Sequence, residues 1–135
     1  MNDVEHGVTK EISKERGYRT ALVIPVFNEE GRIGLQLAKI AKSHEYDVVI
    51  IDGGSDDRTL AEVNENLTVV TAIIRVSNSQ GLSHQLRIGF NYCINSGYTN
   101  VITMDGNNKD EPREIERIKE KLEDGNVVES NLKNQ

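Results

Sequence analysis

Three short polar segments hold the residues of this chain best suited to chemistry: Phe27-Asn28-Glu29, Asp52-Gly53-Gly54-Ser55-Asp56-Asp57 and Asp105-Gly106-Asn107. In the last of them a carboxylate and an amide oxygen stand two residues apart. Hard divalent cations such as Mg²⁺ or Mn²⁺ take oxygen ligands of this kind and accept diphosphate as a co-ligand. Lys109, close by, offers an alternative, a positive charge set directly against a phosphate. A turn alone also accounts for Asp105-Gly106, since Asp-Gly is a common turn dipeptide. The Asp52 segment divides in the same way. Its residues make an ordinary strand-to-helix turn, with Ser55 or Asp57 capping the next helix. Alternatively, Asp52 points a carboxylate into a ligand crevice, where it accepts hydrogen bonds from base or ribose donors.

Other chemistries find less support. Neither a GxGxxG fingerprint nor a Walker-type phosphate loop is present. His6, His44 and His84 are not spaced as metal ligands and read as solvated or capping groups. Cys93 is the single cysteine, so no intrachain disulfide forms, and its place in a helical apolar pattern reads as a buried thiol in a reducing compartment. A net charge of -6 supplies no basic field for nucleic acid. The first 19 residues are charged and lack the apolar centre of a signal peptide, and no apolar run approaches the roughly 20 residues that span a bilayer. The expected location is the cytoplasm, with the cytoplasmic face of a membrane reachable through a partner.

The elements that must position the polar segments follow from apolar patterning. Residues 20–26 and 47–51 are nearly continuous apolar runs of the kind buried on both faces of a parallel sheet. Residues 67–76 are rich in β-branched side chains and residues 100–104 form a fourth short run, so both read as strands. Between them, helical spacing predicts helices over about 29–43, 57–64 and 82–97. Asn28 stands as the N-cap of the first, and Gly97 closes the third. Pro112 opens a last helix with Ile115, Ile118 and Leu122 on one face and Gly125 after it. Its charged residues, from Glu111 to Lys121 and including Lys119, read as a solvent-facing side.

Four alternations of strand and helix imply parallel strands, right-handed crossovers and a three-layer α/β domain with helices on both sheet faces. Ligands of such sheets bind at the carboxyl ends of the strands, near a switch in strand order. All three polar segments directly follow an expected strand. The chain divides into a polar lead-in (residues 1–19), one domain (20–125) and a polar tail (126–135).

In that order, the segments resemble the family 2 glycosyltransferases, especially the branch of dolichol-phosphate mannosyltransferase-like enzymes. ALVIPVFNEE is similar to the family's opening strand and its P-x-Y/F-N-E turn, and IDGGSDDRT to its D-D/G-G-S-x-D-x-T segment. QGLSHQLRIGF stands where the family has a Gly-led segment opening a helix, and VITMDGNNKDEP where it has a strand ending in D-x-D before a Pro. The resemblance implies the Rossmann-like GT-A fold of nucleotide-diphospho-sugar transferases, a nucleoside-diphosphate sugar as ligand and a divalent cation, Mg²⁺ or Mn²⁺. It implies that Pro25, Phe27 and Glu29 line the nucleoside site, that Asp52 contacts the base, and that Ser55 and Asp57 hold the turn that shapes it. Asp105 falls by the ribose and diphosphate and, with Asn107, near the metal.

The sequence departs from the family pattern in places that matter. Gly53 replaces the second Asp of the first acidic pair, leaving a nucleoside contact to the backbone. Asn107 replaces the second Asp of D-x-D, and a neutral amide oxygen binds a divalent cation less strongly than a carboxylate does. Lys109 stands where related enzymes have a Gln close to the metal. The family's acceptor-binding half and general base come after the D-x-D strand, so no residue here is assigned as the base. The expectation is a chain that ends before that half, either as the donor domain of an enzyme or as a nucleotide-sugar-binding remnant. Its sheet edge, uncovered by later strands, is expected to favour self-association.

Overall fold

Strands that are apolar at nearly every position have no polar face to show to water, so they belong in the middle of a layered sheet. β2 (Thr20–Val26) and β3 (Asp47–Asp52) are buried at every residue and pair in parallel through the length of both. The computed structural model describes residues 7–42 and 44–123. Its five-stranded sheet has the order β1-β4-β3-β2-β5, with β4 (Ala72–Val76) and β5 (Asn100–Thr103) parallel to the central pair. Four helices connect or follow the strands: α1 (Ile33–Ala41), α2 (Thr59–Asn64), α3 (Leu82–Asn95) and α4 (Pro112–Glu123).

Alternation along the strands splits the core in two. Leu22, Ile24, Ile50 and Ile73 face Leu37 and Ile40 of α1, Val63 of α2, and Ile115 and Ile118 of α4. Ala21, Val23, Val49, Ile51 and Ile74 face Ile88, Tyr92 and Cys93 of α3. The expected three-layer α/β/α arrangement is present. Cys93 is fully buried and desolvation pushes its thiol up to about 12, so it stays protonated near neutral pH and packs as an apolar side chain.

The lead-in holds an element that apolar patterning did not reveal. β1 (Val8–Ser13) pairs antiparallel with β4, through a register shift between Lys10 and Ile12. Only Val8 and Ile12 of its six residues are even partly buried, so a ladder of backbone hydrogen bonds holds it rather than a hydrophobic face. It covers the far edge of β4. The opposite edge, β5, has no further strand beside it among the described residues.

Two other boundaries move for stated reasons. Residues 67–71 were expected to begin a strand, but Val69 N–H and Val70 N–H donate to Asn66 and Leu67 carbonyls, forming turns. Their β-branched side chains reflect burial in the core instead. The first helix begins at Ile33, not at residue 29. Asn28 is not its N-cap, because it has φ +52° and its side chain is engaged elsewhere. Gly97, at φ +87°, closes α3 as expected: its N–H donates to Ile94 and the Tyr98 N–H to Cys93, the paired bonds of a Schellman ending. Lys119 is buried against the Glu45 carbonyl and carboxylate, so the outer side of α4 is not wholly solvated. The ends expected at Ser43 and Gly125, and the tail 126–135, lie outside the described residues.

Candidate functional site

The chain crosses β2, β3 and β4 in one direction, then returns over the opposite face through α3 to place β5 on the other side of β2. The loops after β2 and β5 therefore separate at the carboxyl ends, the switch point where ligands of open α/β sheets bind. Pro25 marks the opening. The Val26 carbonyl accepts from Gly53 N–H on the β3 side, and the Val23 carbonyl from Met104 N–H on the β5 side. By alternation, the N–H that Pro25 lacks would have pointed toward β5, past Thr103, the last β5 residue paired with β2. Proline costs the sheet no ladder bond there. Phe27, the next residue but one, leaves the strand more than half exposed.

A dense set of hydrogen bonds ties the β2–α1 loop to the β3–α2 loop. Asn28 N–H donates to Ser55 Oγ at 2.9 Å, and Asp56 N–H returns a bond to Asn28 Oδ1 at 3.0 Å. Glu29 N–H donates to Thr59 Oγ1 and Glu30 N–H to Asp57 Oδ2, while Arg58 N–H donates to Glu30 Oε1. Glu62, on α2, accepts from Gly31 and Gly34 N–H at 2.7 and 3.0 Å and so satisfies the open amides ahead of α1. The Glu29 carboxylate pairs with Arg32 at 2.8 Å. Asp57 accepts from both the hydroxyl and the N–H of Thr59, and the hydroxyl bond above all holds its carboxyl below the usual range. Ser55 and Asp57 thus fix the turn, Asp57 by capping the start of α2 and Ser55 by gripping the neighbouring loop.

Asp52 sits beneath that turn. Its side chain is fully buried and accepts from Gly54 N–H at 3.0 Å and Ser55 N–H at 3.1 Å. Arg75, its register partner on β4, brings Nε to 3.5 Å of Oδ2. The carboxylate is therefore committed to shaping the loop and balancing Arg75. Gly53 points to the opposite sheet face, where Gln85 of α3 donates Nε2 to the carbonyls of Val26 and Ile51, each at 3.0 Å. Neither Arg75 nor Gln85 stands out in the sequence. Arg75 lies in an apolar strand, and Gln85 is a polar residue on a helix whose apolar spacing lies at other positions.

The third segment is held more by packing. A Cβ at Gly106 would meet Val26 Cγ1 at 2.7 Å and Ile33 Cδ1 at 3.2 Å, so only glycine lets this loop lie against the end of β2. The half-buried Asp105 precedes it. Asn107 Oδ1 accepts from Lys109 N–H at 3.1 Å, a local turn. Asn108 takes φ +64°, with its Oδ1 buried and lacking a hydrogen-bond donor. Gln36 of α1 anchors the loop by donating to the Asp110 carbonyl. Among the described residues, no three His, Cys, Asp or Glu side chains come together to hold a metal ion. The Asp105 carboxylate and the amide oxygens of this loop are ligand types that would suit a hard ion completed by diphosphate oxygens.

Of the eight residues expected at the site, Pro25 and Asp52 stand near the carboxyl ends of β2 and β3, and the other six lie on the three loops that meet around the end of β2. Loop two is bonded to loop one through Asn28 and Ser55, and loop three packs on it through Gly106.

Comparison with known proteins agrees with this fold. A family model described as glycosyl transferase family 2 matches residues 21–130. The chain is 30% identical over 120 residues to the undecaprenyl-phosphate 4-deoxy-4-formamido-L-arabinose transferase of Proteus mirabilis, covering 82% of this chain and 36% of that one. It is 24% identical over 111 residues to the polyprenol monophosphomannose synthase of Mycolicibacterium smegmatis, covering 79% and 42%. A solved structure of glucosyl-3-phosphoglycerate synthase from Mycobacterium tuberculosis, in complex with Mn²⁺, uridine diphosphate and glucosyl-3-phosphoglycerate, superposes with a TM-score of 0.58 at 16% identity, over 78% of this chain and 40% of that one. The GT-A fold expected from the sequence is borne out. The chain spans less than half the length of these relatives.

Proposed function

Because the chain belongs to glycosyl transferase family 2, we propose that the crevice at the end of β2 binds a nucleoside-diphosphate sugar and serves transfer of its glycosyl group. The observation that carries this reading is the meeting of three polar loops at the switch point, braced on one side and lined with oxygen donors on the other. Exposed Phe27 offers a face for a base to stack on, and Pro25 and Glu29 line the same side. Asp52, Ser55 and Asp57 hold the turn in shape, and the base meets chiefly the backbone of that turn. Asp105 receives the ribose and diphosphate.

A departing nucleoside diphosphate gathers negative charge, which a fixed cation stabilises. Asp105 and Asn107 would hold Mg²⁺ or Mn²⁺ with the diphosphate, and the ion would supply Lewis-acid stabilisation of the leaving group. Lys109, exposed beside Asn107, adds positive charge to the same side. The relatives' names support a polyprenyl phosphate as acceptor class, which fits work at the surface of a membrane. Among the described residues, no helix is long and apolar enough to cross one. The edge of β5, uncovered among the described residues, is where we place self-association; sedimentation as a monomer over a wide concentration range would rule that out.

The test is calorimetric titration of the purified chain with uridine, guanosine and adenosine diphosphates and their sugars, with and without Mn²⁺. Binding that is lost in Asp105→Ala and persists in Lys121→Ala supports the reading. A folded chain that binds none of them would replace it with a scaffold that keeps the loops without the ligand.

A further inference from the structure

Gly53 is the one position in the braced loops where the family pattern admits a carboxylate and this chain has no side chain. The structure supplies the reason. A Cβ at residue 53 would lie 2.9 Å from Gln85 Cδ, 3.0 Å from Nε2 and 3.1 Å from Oε1. The end of a flexible side chain moves aside easily when nothing holds it, but Gln85 is buried to 5% exposure, and its amide nitrogen bonds two carbonyls. Those carbonyls belong to Val26 and Ile51, the residues just before Phe27 and Asp52. Swinging Gln85 away for a larger residue would break both bonds, leaving the ends of β2 and β3 to their strand pairing and the Gly53 N–H to Val26 carbonyl bond alone.

We propose that Gly53 and Gln85 are a matched pair that sets the nucleobase wall: Gln85 reaches in from α3 to fill the volume a side chain at 53 would take and to fix the ends of β2 and β3. Position 53 then presents only backbone to the base. A carboxylate in that volume would set its negative charge just behind the wall and favour bases that donate from their ring edge; a backbone wall alone, whose N–H and C=O groups donate as well as accept, does not impose that selection. This deepens the nucleotide-sugar reading above and rests on it. Gln85 acts as a positioning residue, held away from solvent beneath the turn.

The prediction is non-additivity. Gly53→Asp alone meets Gln85 and is expected to weaken nucleoside diphosphate binding at least tenfold for every base, with a lowered melting temperature. Gln85→Ala alone loosens both strand ends and weakens binding severalfold, again without regard to base. The double variant Gly53→Asp/Gln85→Ala makes room for the carboxylate. It is expected to recover part of the melting temperature lost by Gly53→Asp and to change the ratio of uridine, guanosine and adenosine diphosphate affinities by at least fivefold. Titration calorimetry and thermal melting on all four proteins read these quantities. Additive losses in both affinity and melting temperature would overturn the pairing. Coupled melting temperatures with an unchanged base ratio would overturn the role at the base wall while leaving the nucleotide reading intact. A wild-type chain that binds no nucleotide overturns that reading, and the base-wall role with it.

Discussion

The two sides of the crevice are built by different means. On the side of Asn28 and Ser55, loop meets loop through reciprocal hydrogen bonds, nearly all of them between a backbone N–H and a side-chain oxygen. On the side of Asp105, one glycine packs against two apolar side chains, Gln36 anchors one carbonyl, and Asn108 Oδ1 is buried without a hydrogen-bond donor. A braced wall holds its shape before ligand arrives, so little ordering is lost on binding. The second wall holds one buried acceptor, Asn108 Oδ1, without a hydrogen bond. It suits the part of the ligand that brings its own charge and its own cation.

If that contrast is real, damage to the braced side costs folding, and damage to the other side costs binding. The largest effect is expected from Asp52→Ala, which strips the acceptor from the buried Ser55 N–H and the half-buried Gly54 N–H and leaves Arg75 without its counter-charge. A loss of about 3 kcal/mol in urea unfolding is expected, since each buried group left unpaired costs about 1–3 kcal/mol. A change under 1 kcal/mol would mean that the turn does not depend on its buried carboxylate. Next comes Gly106→Ala, which forces a methyl to 2.7 Å from Val26 Cγ1. Overpacking of this kind costs about 1–3 kcal/mol. Here nucleotide affinity should fall further than stability does, because the loop is displaced from the end of β2.

These contrasts explain how much was legible in sequence. Apolar runs mark β2, β3 and α3 because their burial is continuous or periodic, and the three site loops follow from the ends of strands. β1 was not visible, because an edge strand held by backbone bonds with four of its six side chains exposed carries no alternating pattern. Val69 and Val70 pointed to a strand where the chain turns, since β-branching reports burial as readily as extension. In the β3–α2 turn, residue types pointed to Ser55 and Asp57 as the groups that hold it. The burial of Asp52 was not readable, because it depends on Arg75, 23 positions later, lying opposite it in the sheet. Gln85 acts on residues 59 and 34 positions away, beyond any local pattern.

The cation side gives a test that leaves the fold alone. Mn²⁺ is expected to tighten binding of a nucleoside diphosphate to the wild type about tenfold, with the gain lost in Asp105→Ala and enlarged in Asn107→Asp, since a carboxylate is the stronger ligand for a hard ion. Melting temperatures without nucleotide should move little in either variant. A large stability loss in Asp105→Ala would place that residue with the braced side and remove the contrast.

The smallest expected effect is a pH response confined to the brace. Hydrogen bonds from Thr59 hold the Asp57 carboxyl below its ordinary value of 3.8. A group whose folded value is depressed stabilises the fold above its unfolded value, and that contribution disappears as pH falls through the folded one. Between pH 7 and 5 the brace should therefore be indifferent to Asp57 ionisation, and only as pH falls past the ordinary value to the depressed folded one should the amides of Thr59 and Glu30 lose their charged acceptor. Amide hydrogen exchange would register this as protection lost at Glu30 and Thr59 first, with Gly106 and Asn107 unchanged over the same range. Asp57→Asn should abolish the pH step and leave a constant, weaker protection. A step of equal size in both loops would show that they open together and are not two separately built walls.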